Sequence, residues 1–187
     1  EREYLTEDEI KRIMAHEFNN PTLALVRDLF IFACFTALSF VDMKELTTDE
    51  IVEVNGEKWI LSKRHKTNVP FLVKLLDIPL QIIERYKYLS EDRLVFGKIN
   101  YWTMCKQLKK VMAECGIEKQ ISYHCARHTF GTLALSKGMP IESVSRVLGH
   151  TNIVTTQIYA KITTQKLDND LTMFGNMVNA SFGSVPP

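Results

Sequence analysis

The chain has 187 residues, 45% of them hydrophobic and 24% charged, which is the composition of an ordinary soluble globular protein of one or two domains. No run of 18 apolar residues occurs and the first residues lack the layout of a secretion signal, so the sequence predicts neither a membrane span nor export. The net charge is +1, but residues 1–60 carry −7, residues 61–166 carry +10 and the last 21 residues carry −2. This asymmetry predicts one anion-binding face, although an ordinary solvated surface is the alternative.

Local signals divide the chain into a helical first part, a small sheet and a longer helical part. Thr6 with Glu9 is a capping box, Asn20-Pro21 is a typical helix start, and Asn55-Gly56 is a typical hairpin turn. We expect helices at about 7–18, 21–39, 41–45, 78–89, 101–115, 123–137, 140–148, 152–159 and 164–178, strands at 51–54, 57–62 and 69–73, and a short extended piece at 94–96. The expected fold class is α+β, mainly helical, with a small three-stranded antiparallel sheet.

Residues 121–162 contain the side chains that best indicate chemistry. His124 and Arg127 are three apart and share a helix face, His150 follows a Leu-Gly helix end, and Tyr159 comes nine residues later. Each alone has a structural explanation, since a helix histidine is more often a core or surface residue and a lone tyrosine usually packs. A thiol nucleophile at Cys125 is disfavoured because neighbours on a helix point about 100° apart.

Together, these four side chains fit the attack of a tyrosine on a phosphodiester. A phenol of pKa about 10 is ionised about one part in a thousand at neutral pH, so the phosphate must be made electrophilic. Arg127 can bind two phosphate oxygens with its planar guanidinium, and His124 and His150 can donate hydrogen bonds or move protons. The sequence contains no obvious carboxylate cluster for a divalent metal, so we expect neither a metal nor a cofactor.

The motifs His-x-x-Arg at 124–127 and Leu-Gly-His at 148–150, followed by Tyr159, resemble the signature of the tyrosine recombinase (phage-integrase-like) family. The resemblance covers nearly the whole chain as a catalytic domain. It implies that Tyr159 forms a covalent 3′-phosphotyrosyl link with DNA, which the 5′-hydroxyl of a second strand then attacks. The implied protein is a site-specific recombinase or integrase that integrates and excises a mobile element without a cofactor.

The family also places a lysine on the small sheet as general acid for the departing 5′ oxygen. In the segment SKRHKTNVPF at 62–71, the Lys-Thr pair before Val-Pro makes Lys66 the matching residue, with Lys63 as its rival. The alternative is a charged hairpin loop whose basic residues only contact backbone phosphates.

One position departs from the family pattern. The family reads Thr-Gly-Leu-Arg-x-x-Glu where this chain reads TALSFVD at 36–42, so Ser39 replaces the catalytic arginine and Asp42 keeps the acidic position. An arginine on a phosphoryl transition state contributes about 10³–10⁵ in rate, which is about 4–7 kcal/mol. A serine hydrogen bond to a charged group contributes about 1.5–3 kcal/mol, so Ser39 cannot fully replace the guanidinium.

Two other arginines are candidates for the missing cation. Arg64 precedes Lys66 by two residues, and both side chains point to one face if the link between the strands is extended. Arg27 is on the same helix as Ser39 but about 18 Å along its axis and about 120° around it, which makes direct replacement harder. We favour Arg64. The same departure resembles integrases of bacterial conjugative transposons, so we expect an active member of that subgroup.

Three alternative functions account for parts of the sequence. A DNA-binding module without cleavage would not need the intact context of Tyr159. A type IB topoisomerase-like enzyme would use the same tyrosine and cations to relax DNA, but the His-x-x-Arg and Leu-Gly-His motifs favour a recombinase. A helical protein-interaction domain would leave the basic middle of the chain unexplained.

The resemblance also carries expectations about assembly. We expect residues 1–187 to be a single catalytic domain, a fragment from which an upstream core-binding domain was removed. Residues 164–187 are expected to form a C-terminal helix and tail that pack on their own domain or exchange between protomers. Its apolar residues recur at helical spacing at Leu167, Leu171, Phe174 and Met177. The expected partners are double-stranded DNA recombination sites, further copies in a tetramer on DNA, and accessory DNA-bending proteins, all in a bacterial cytoplasm.

Overall fold

A computed structural model describes residues 3–150, 152–157 and 164–183 of the chain. Its elements, in chain order, are the helices and strands α1 (Glu7–Ala15), α2 (Pro21–Thr36), α3 (Phe40–Lys44), β1 (Ile51–Val54), β2 (Glu57–Lys63), β3 (Pro70–Lys74), α4 (Asp77–Arg85), α5 (Tyr101–Glu114), α6 (Cys125–Ser136), α7 (Ile141–Leu148), α8 (Val154–Gln157) and α9 (Thr164–Phe182). The predicted fold class, mainly helical with one small sheet, is confirmed.

The sheet is antiparallel with the strand order β1-β2-β3. Asn55 and Gly56 join the first two strands with φ angles of 52° and 79°, as expected for a tight hairpin turn in which both central residues are left-handed. In the centre of the sheet, Ile60 pairs with Ile51 on one side and Val73 on the other. Ile60 and Val73 are buried, so this face of the sheet joins the core.

Helix α2 is the centre of the hydrophobic core, as its apolar sequence predicts. It packs against α1, α4, α5 and α6, and it buries most of its length. Phe32 on α2 meets Phe96 edge-on with ring centres 5.0 Å apart. Because a helix surrounded on all sides has no polar face, the composition of α2 shows little amphipathic pattern.

The end of α2 differs from the prediction. The helix ends at Thr36 because Ala37 adopts the left-handed conformation, with φ of 58°. Ser39 instead begins α3, where its Oγ accepts the backbone N–H of Asp42 at 3.2 Å while the Asp42 carboxylate accepts the backbone N–H of Ser39 at 3.4 Å. The prediction that α2 continues to Ser39 is therefore wrong, and this serine is a helix-capping residue of α3.

The link between β2 and β3 also differs from the prediction. The backbone N–H of Asn68 donates to the carbonyl of Arg64 at 2.7 Å, and the N–H of Arg64 donates to the carbonyl of Val69 at 2.8 Å. These bonds close a turn, so the link is not extended. Arg64 is buried whereas Lys66 is exposed, and the premise that their side chains share a face is wrong.

Several element ends also shift. Helix α1 stops at Ala15, α4 stops at Arg85 before a separate turn of 3-10 helix, and α9 continues to Phe182. The predicted extended piece at 94–96 contributes only isolated bridges, from Leu94 to Thr47 and to Glu91. Within the described ranges, every helix is too short or too polar to cross a lipid bilayer. The expectation of an upstream core-binding domain stays a prediction.

Candidate functional site

Arg64 is a buried arginine held from three sides. Its Nη1 donates to Asp42 Oδ2 on α3 at 2.9 Å, and its Nη2 donates to the carbonyl of Val147 on α7 at 2.5 Å. Its guanidinium carbon lies 3.9 Å from the ring centre of Phe71 on β3. Its Nε has no hydrogen-bond partner among the described residues. The guanidinium is therefore fixed in place, with two of its five N–H donors bound to Asp42 and Val147.

The carboxylate of Asp42 positions this arginine. It accepts hydrogen bonds from Arg64 and from the backbone N–H groups of His65, at 2.9 Å, and Ser39. Burial raises the pKa of Asp42, but the hydrogen bonds from His65, Ser39 and Arg64 and the charge of Arg64 outweigh burial, so the pKa lies below its ordinary value. Asp42 is thus an anion at neutral pH, with Arg64 as its counterion.

Arg127 connects the ends of two helices. It lies near the start of α6, is half-buried, and donates from Nη1 to the carbonyl of Ala37 at 2.6 Å and from Nη2 to the carbonyl of Leu148 at 2.7 Å. Ala37 is the residue directly after α2, and Leu148 is the last residue of α7. The last carbonyls of a helix have no hydrogen-bond partner within that helix. A cation is favoured there by the helix dipole.

His150 lies just after α7, beyond a left-handed glycine. Gly149 has φ of 66°, and a side chain there would meet Arg64 at 3.1 Å. His150 Nδ1 lies 2.8 Å from the hydroxyl of Thr156 on α8, which sets the orientation of the ring. Burial lowers the pKa of His150, and the charges of Arg127 and Arg64 lower it further, so the ring is neutral at pH 7.

The end of α7 therefore brings together three of the residues predicted from the sequence. Arg64 binds the carbonyl of Val147, Arg127 binds the next carbonyl at Leu148, and His150 follows two residues later. An added Cβ on the neighbouring Gly149 would lie 3.1 Å from Arg64, and the charges of both arginines lower the pKa of His150. Two fixed cations and an imidazole at one point suit the binding of a phosphate.

His124 is exposed and occupies the position before α6, three residues ahead of Arg127. Its ring meets that of His128 edge-on, with centres 4.9 Å apart. Because His124 and Arg127 belong to the same helical turn, the backbone fixes their spacing. The structure thus places His124 one helical turn before Arg127.

Both candidate lysines are exposed. Lys63 is the last residue of β2, and Lys66 lies in the turn between β2 and β3. Within the described part of the chain, Lys66 makes no hydrogen bond or ion pair. A cavity of about 430 Å³ borders this turn and is lined by residues of α3, β2 and the turn, including Arg64 and Lys63. Lys66 remains the predicted general acid on the strength of its motif.

The predicted nucleophile, Tyr159, lies outside the described residues, which end on its N-terminal side at Gln157 and resume at Thr164. Its role stays a prediction.

Arg27, the second candidate for the missing cation, serves the architecture instead. Its Nη1 donates to the carbonyls of Ile13, Met14 and His16 at the end of α1, at 3.0, 3.2 and 2.8 Å. Its Nε donates to Asp28 at 2.5 Å. These bonds satisfy the last carbonyls of α1 and hold Arg27 against that helix.

Sequence reasoning missed the residues that hold Arg64. Phe71 stacks on the guanidinium, Val147 accepts from it, and Gly149 leaves room for it. The alternation of β3 could have placed Phe71 on the inner face, next to the end of the turn. The bond to Val147 joins residues 83 apart and has no local signal. Among the described residues, no group of three or more His, Cys, Asp or Glu side chains is placed to hold a metal ion.

Solved structures define the fold of this domain. The chain superimposes on the catalytic domain of bacteriophage HP1 integrase with a TM-score of 0.67 and 20% identity, covering 99% of this chain and 100% of that one. It superimposes on the Tn1549 transposon integrase, in complex with a circular intermediate DNA, with a TM-score of 0.72 and 16% identity, covering 91% and 65%. The fold is that of a tyrosine recombinase catalytic domain.

Sequence relatives agree with the fold. The tyrosine recombinase XerA of Pyrococcus horikoshii is 29% identical over 174 residues, which are 87% of this chain and 58% of XerA. The tyrosine recombinase XerD of Listeria monocytogenes is 34% identical over 125 residues, or 64% of this chain and 41% of XerD. The phage integrase family matches residues 3–166, and the chain belongs to that family. The chain spans about half the length of these relatives.

Proposed function

We propose that this protein is a site-specific DNA recombinase that cleaves and rejoins strands through a covalent 3′-phosphotyrosyl intermediate. The observation that carries the proposal is the convergence of Arg64, Arg127 and His150 at the end of α7. Two buried or half-buried cations around a neutral imidazole form a site for one phosphate. Family membership supports the same reaction, because XerA and XerD are named tyrosine recombinases.

The proposed reaction has two steps. The Tyr159 oxygen attacks the scissile phosphorus and gives its proton to His150, the bond from phosphorus to the 5′ oxygen breaks, and Lys66 gives its proton to that oxygen. A 5′-hydroxyl from a second strand then attacks the phosphotyrosine and gives its proton to Lys66, and the phenol leaves with the proton returned by His150. Bonds of equal type form and break in each step, so the exchange needs no external energy source. Preorganised cations lower the barrier where negative charge accumulates on the phosphate.

Arg64 supplies the charge that the serine cannot. Ser39 uses its hydroxyl to cap α3, so this group already accepts a backbone N–H. Arg64 binds Asp42 at the start of α3, the end that Ser39 caps. It also binds the carbonyl of Val147 at the end of α7, next to the carbonyl that Arg127 binds. A guanidinium held this way loses little conformational freedom when a phosphate arrives, which favours its use in catalysis.

The two histidines take complementary roles in the proposal. Because its pKa is lowered, His150 is neutral at pH 7 and can accept a proton from the attacking tyrosine or donate an N–H to a phosphate oxygen. His124 is exposed beside Arg127 and can donate to a second phosphate oxygen. Thr156 holds the His150 ring for this task.

An exposed face of α5 supports DNA as the partner. Trp102 is 81% exposed near the start of this helix, and Lys106, Lys109 and Lys110 are exposed further along it. Tyr101 meets Phe40, the first residue of α3, with ring centres 5.0 Å apart, so the start of α5 lies beside the cap that contains Ser39. Basic side chains bind phosphates and an exposed indole can contact bases or sugars.

The biological setting belongs to the same proposal. The fold similarity to the Tn1549 transposon integrase supports integration and excision of a mobile element. We propose that the full protein works as a tetramer on DNA, with accessory DNA-bending proteins. On α9, the apolar side chains Leu167, Phe174 and Met177 are at least half exposed, which supports packing of this helix on a neighbouring protomer.

The test is trapping of the covalent intermediate. The intact protein is incubated with a pool of nicked duplexes of randomised sequence, in which the short cleaved fragment diffuses away and leaves protein bound to DNA. We expect a DNA adduct that survives denaturing electrophoresis, and no adduct with Tyr159→Phe. If a folded wild-type protein binds the duplexes without forming an adduct, it is a DNA-binding module and the enzymatic proposal is wrong.

A further inference from the structure

The turn that carries Lys66 is attached to α3 through the residue just before it. The backbone N–H of His65 donates to Asp42 Oδ1 at 2.9 Å, and the His65 ring Nδ1 lies 2.8 Å from Glu45 Oε2. Asp42 and Glu45 are three residues apart, on neighbouring positions of one helical turn. His65 is therefore fixed both through its backbone and through its ring.

The two attachments of His65 differ in their surroundings. Asp42 is buried and also binds Arg64, so this attachment belongs to the phosphate site. The ring of His65 and the carboxylate of Glu45 are both about half exposed, at 60% and 49%. The second attachment thus does not include Arg64 and is open to solvent.

The space beside the turn explains why a second attachment matters. The cavity of about 430 Å³ is lined by Glu45, His65, Asn68 and Lys63 as well as by Asp42 and Arg64. A turn bordered by open space on this side can move into it unless a side chain holds it. The contact between His65 and Glu45 joins two residues that line this cavity and limits that movement.

We propose that His65 and Glu45 are positioning residues that hold the turn so that Lys66 reaches the departing 5′ oxygen. The inference rests on the proposed recombinase function and deepens it. When the Tyr159 oxygen bonds to phosphorus and the 5′ oxygen leaves, the Lys66 Nζ proton moves to that oxygen. His65 and Glu45 touch neither group and act only through the position of the turn.

This role predicts a defect confined to proton donation. Arg64 keeps its bonds to Asp42 and Val147 when the contact between His65 and Glu45 is removed, so phosphate activation continues. A substrate whose bridging 5′ oxygen is replaced by sulfur separates the two effects, because a thiolate, with a conjugate-acid pKa of about 8.5, leaves without a proton.

The experiment measures single-turnover cleavage by the intact protein of a duplex selected from the randomised pool, made with either 5′ oxygen or 5′ sulfur. For Lys66→Ala we expect a loss of about 10²–10⁴-fold on oxygen and a rate near wild type on sulfur. For Glu45→Ala and His65→Ala we expect a loss of about two- to fivefold on oxygen and none on sulfur. The double variant should equal either single variant, and Glu45→Gln should recover part of the loss.

Glu57→Ala is the matched control. It removes an ion pair between Glu57 and Lys74 at 3.1 Å, also between partly exposed residues of the sheet but away from the turn. It should cleave both substrates at the wild-type rate.

Two results overturn the positioning role alone. In the first, the sulfur substrate restores cleavage by Lys66→Ala, while Glu45→Ala and His65→Ala cleave the oxygen substrate at the wild-type rate. Glu45 and His65 then do not position the lysine. If they lose rate equally on both substrates, their effect is structural. If the wild type forms no adduct, or Lys66→Ala is not rescued by sulfur, the proposed function or its general acid fails first.

Discussion

Arg64 and Asp42 form a buried ion pair at 2.9 Å, with their side chains only 6% and 5% exposed. The pair joins the turn after β2 to the first turn of α3, whose cap is Ser39. The position that the family reserves for an arginine is thus occupied by a capping serine, and an arginine from another element lies next to it.

Asp42→Ala is expected to destabilise the protein by about 3–5 kcal/mol, because it leaves the buried guanidinium of Arg64 without its counterion. The measurement is the free energy of unfolding by denaturant. Adding Arg64→Met should restore much of the stability, since both charges are then absent. As a control, Asp49→Ala removes an exposed pair with Arg93 and should change stability by no more than about 1 kcal/mol. Equal effects of Asp42→Ala and Asp49→Ala would contradict a buried pair.

Gly149→Ala is expected to slow DNA cleavage. Its Cβ would lie 3.1 Å from the Cγ and Nε atoms of Arg64, so the arginine must shift. The left-handed backbone at this position also costs about 1–2 kcal/mol for a residue with a side chain. The measurement compares single-turnover cleavage with stability in the same variant.

Gly116→Ala is the matched control for this glycine. Gly116 has nearly the same φ, 64°, but an added Cβ would meet only Arg12 at 3.8 Å, an ordinary contact. Gly116→Ala should therefore lose as much stability as Gly149→Ala but should cleave DNA at the wild-type rate. If both alanine variants cleave DNA equally fast, the close approach of Gly149 to Arg64 has no role in catalysis.

His150 is expected to titrate below its ordinary pKa of 6.5, because burial and then the charges of Arg127 and Arg64 disfavour its protonated form. Nuclear magnetic resonance can follow the ring, with His150→Gln to identify its signal. Arg64→Met should raise the midpoint. An unchanged midpoint in Arg64→Met would show that the charge of Arg64 does not act on the ring.

The lowered pKa of His150 also predicts how the stability of the protein changes with pH. Below about pH 6.5 the unfolded chain takes up a proton at this histidine before the folded protein does, so the contribution of His150 falls as the pH decreases. Above that pH its contribution is constant. The stability of His150→Gln should accordingly depend less steeply on pH below 6.5 than that of the wild type.

Arg27→Met is expected to lower stability without lowering the rate of cleavage per folded molecule. Arg27 binds three carbonyls at the end of α1 and the carboxylate of Asp28, which also keeps Arg85, so its removal should cost about 1–3 kcal/mol. Unfolding and adduct formation are measured on the same preparation, at a temperature where the variant is folded. A folded Arg27→Met without cleavage would instead assign Arg27 to the active site.

Local signals were sufficient for most of the fold. The capping box of Thr6 and Glu9 and the Asn55-Gly56 turn act within a few residues, and both occur where predicted. The break after Thr36 is not predicted because Ala37 adopts a left-handed conformation. Glycine or asparagine at this position would indicate such a conformation, whereas alanine does not.

The site was only partly predictable for a different reason. Arg127 and His150 belong to motifs, whereas the position of Arg64 depends on Asp42, Phe71 and Val147, which tertiary packing brings together. The sequence favours Arg64 on the premise that the link between β2 and β3 is extended. The link is a turn instead, and the buried side chain of Arg64 lies at its start. Which arginine lies beside Asp42 is a property of long-range packing that a single sequence does not contain.

The most direct measurement is the rate of covalent adduct formation by Arg64→Ala on the selected suicide duplex, relative to wild type and to Arg27→Ala. If Arg64 holds the phosphate in place of the family arginine, its removal should slow adduct formation by about 10³–10⁵-fold, while Arg27→Ala, once folded, remains active. An Arg64→Ala protein that forms the adduct at the wild-type rate would contradict the account.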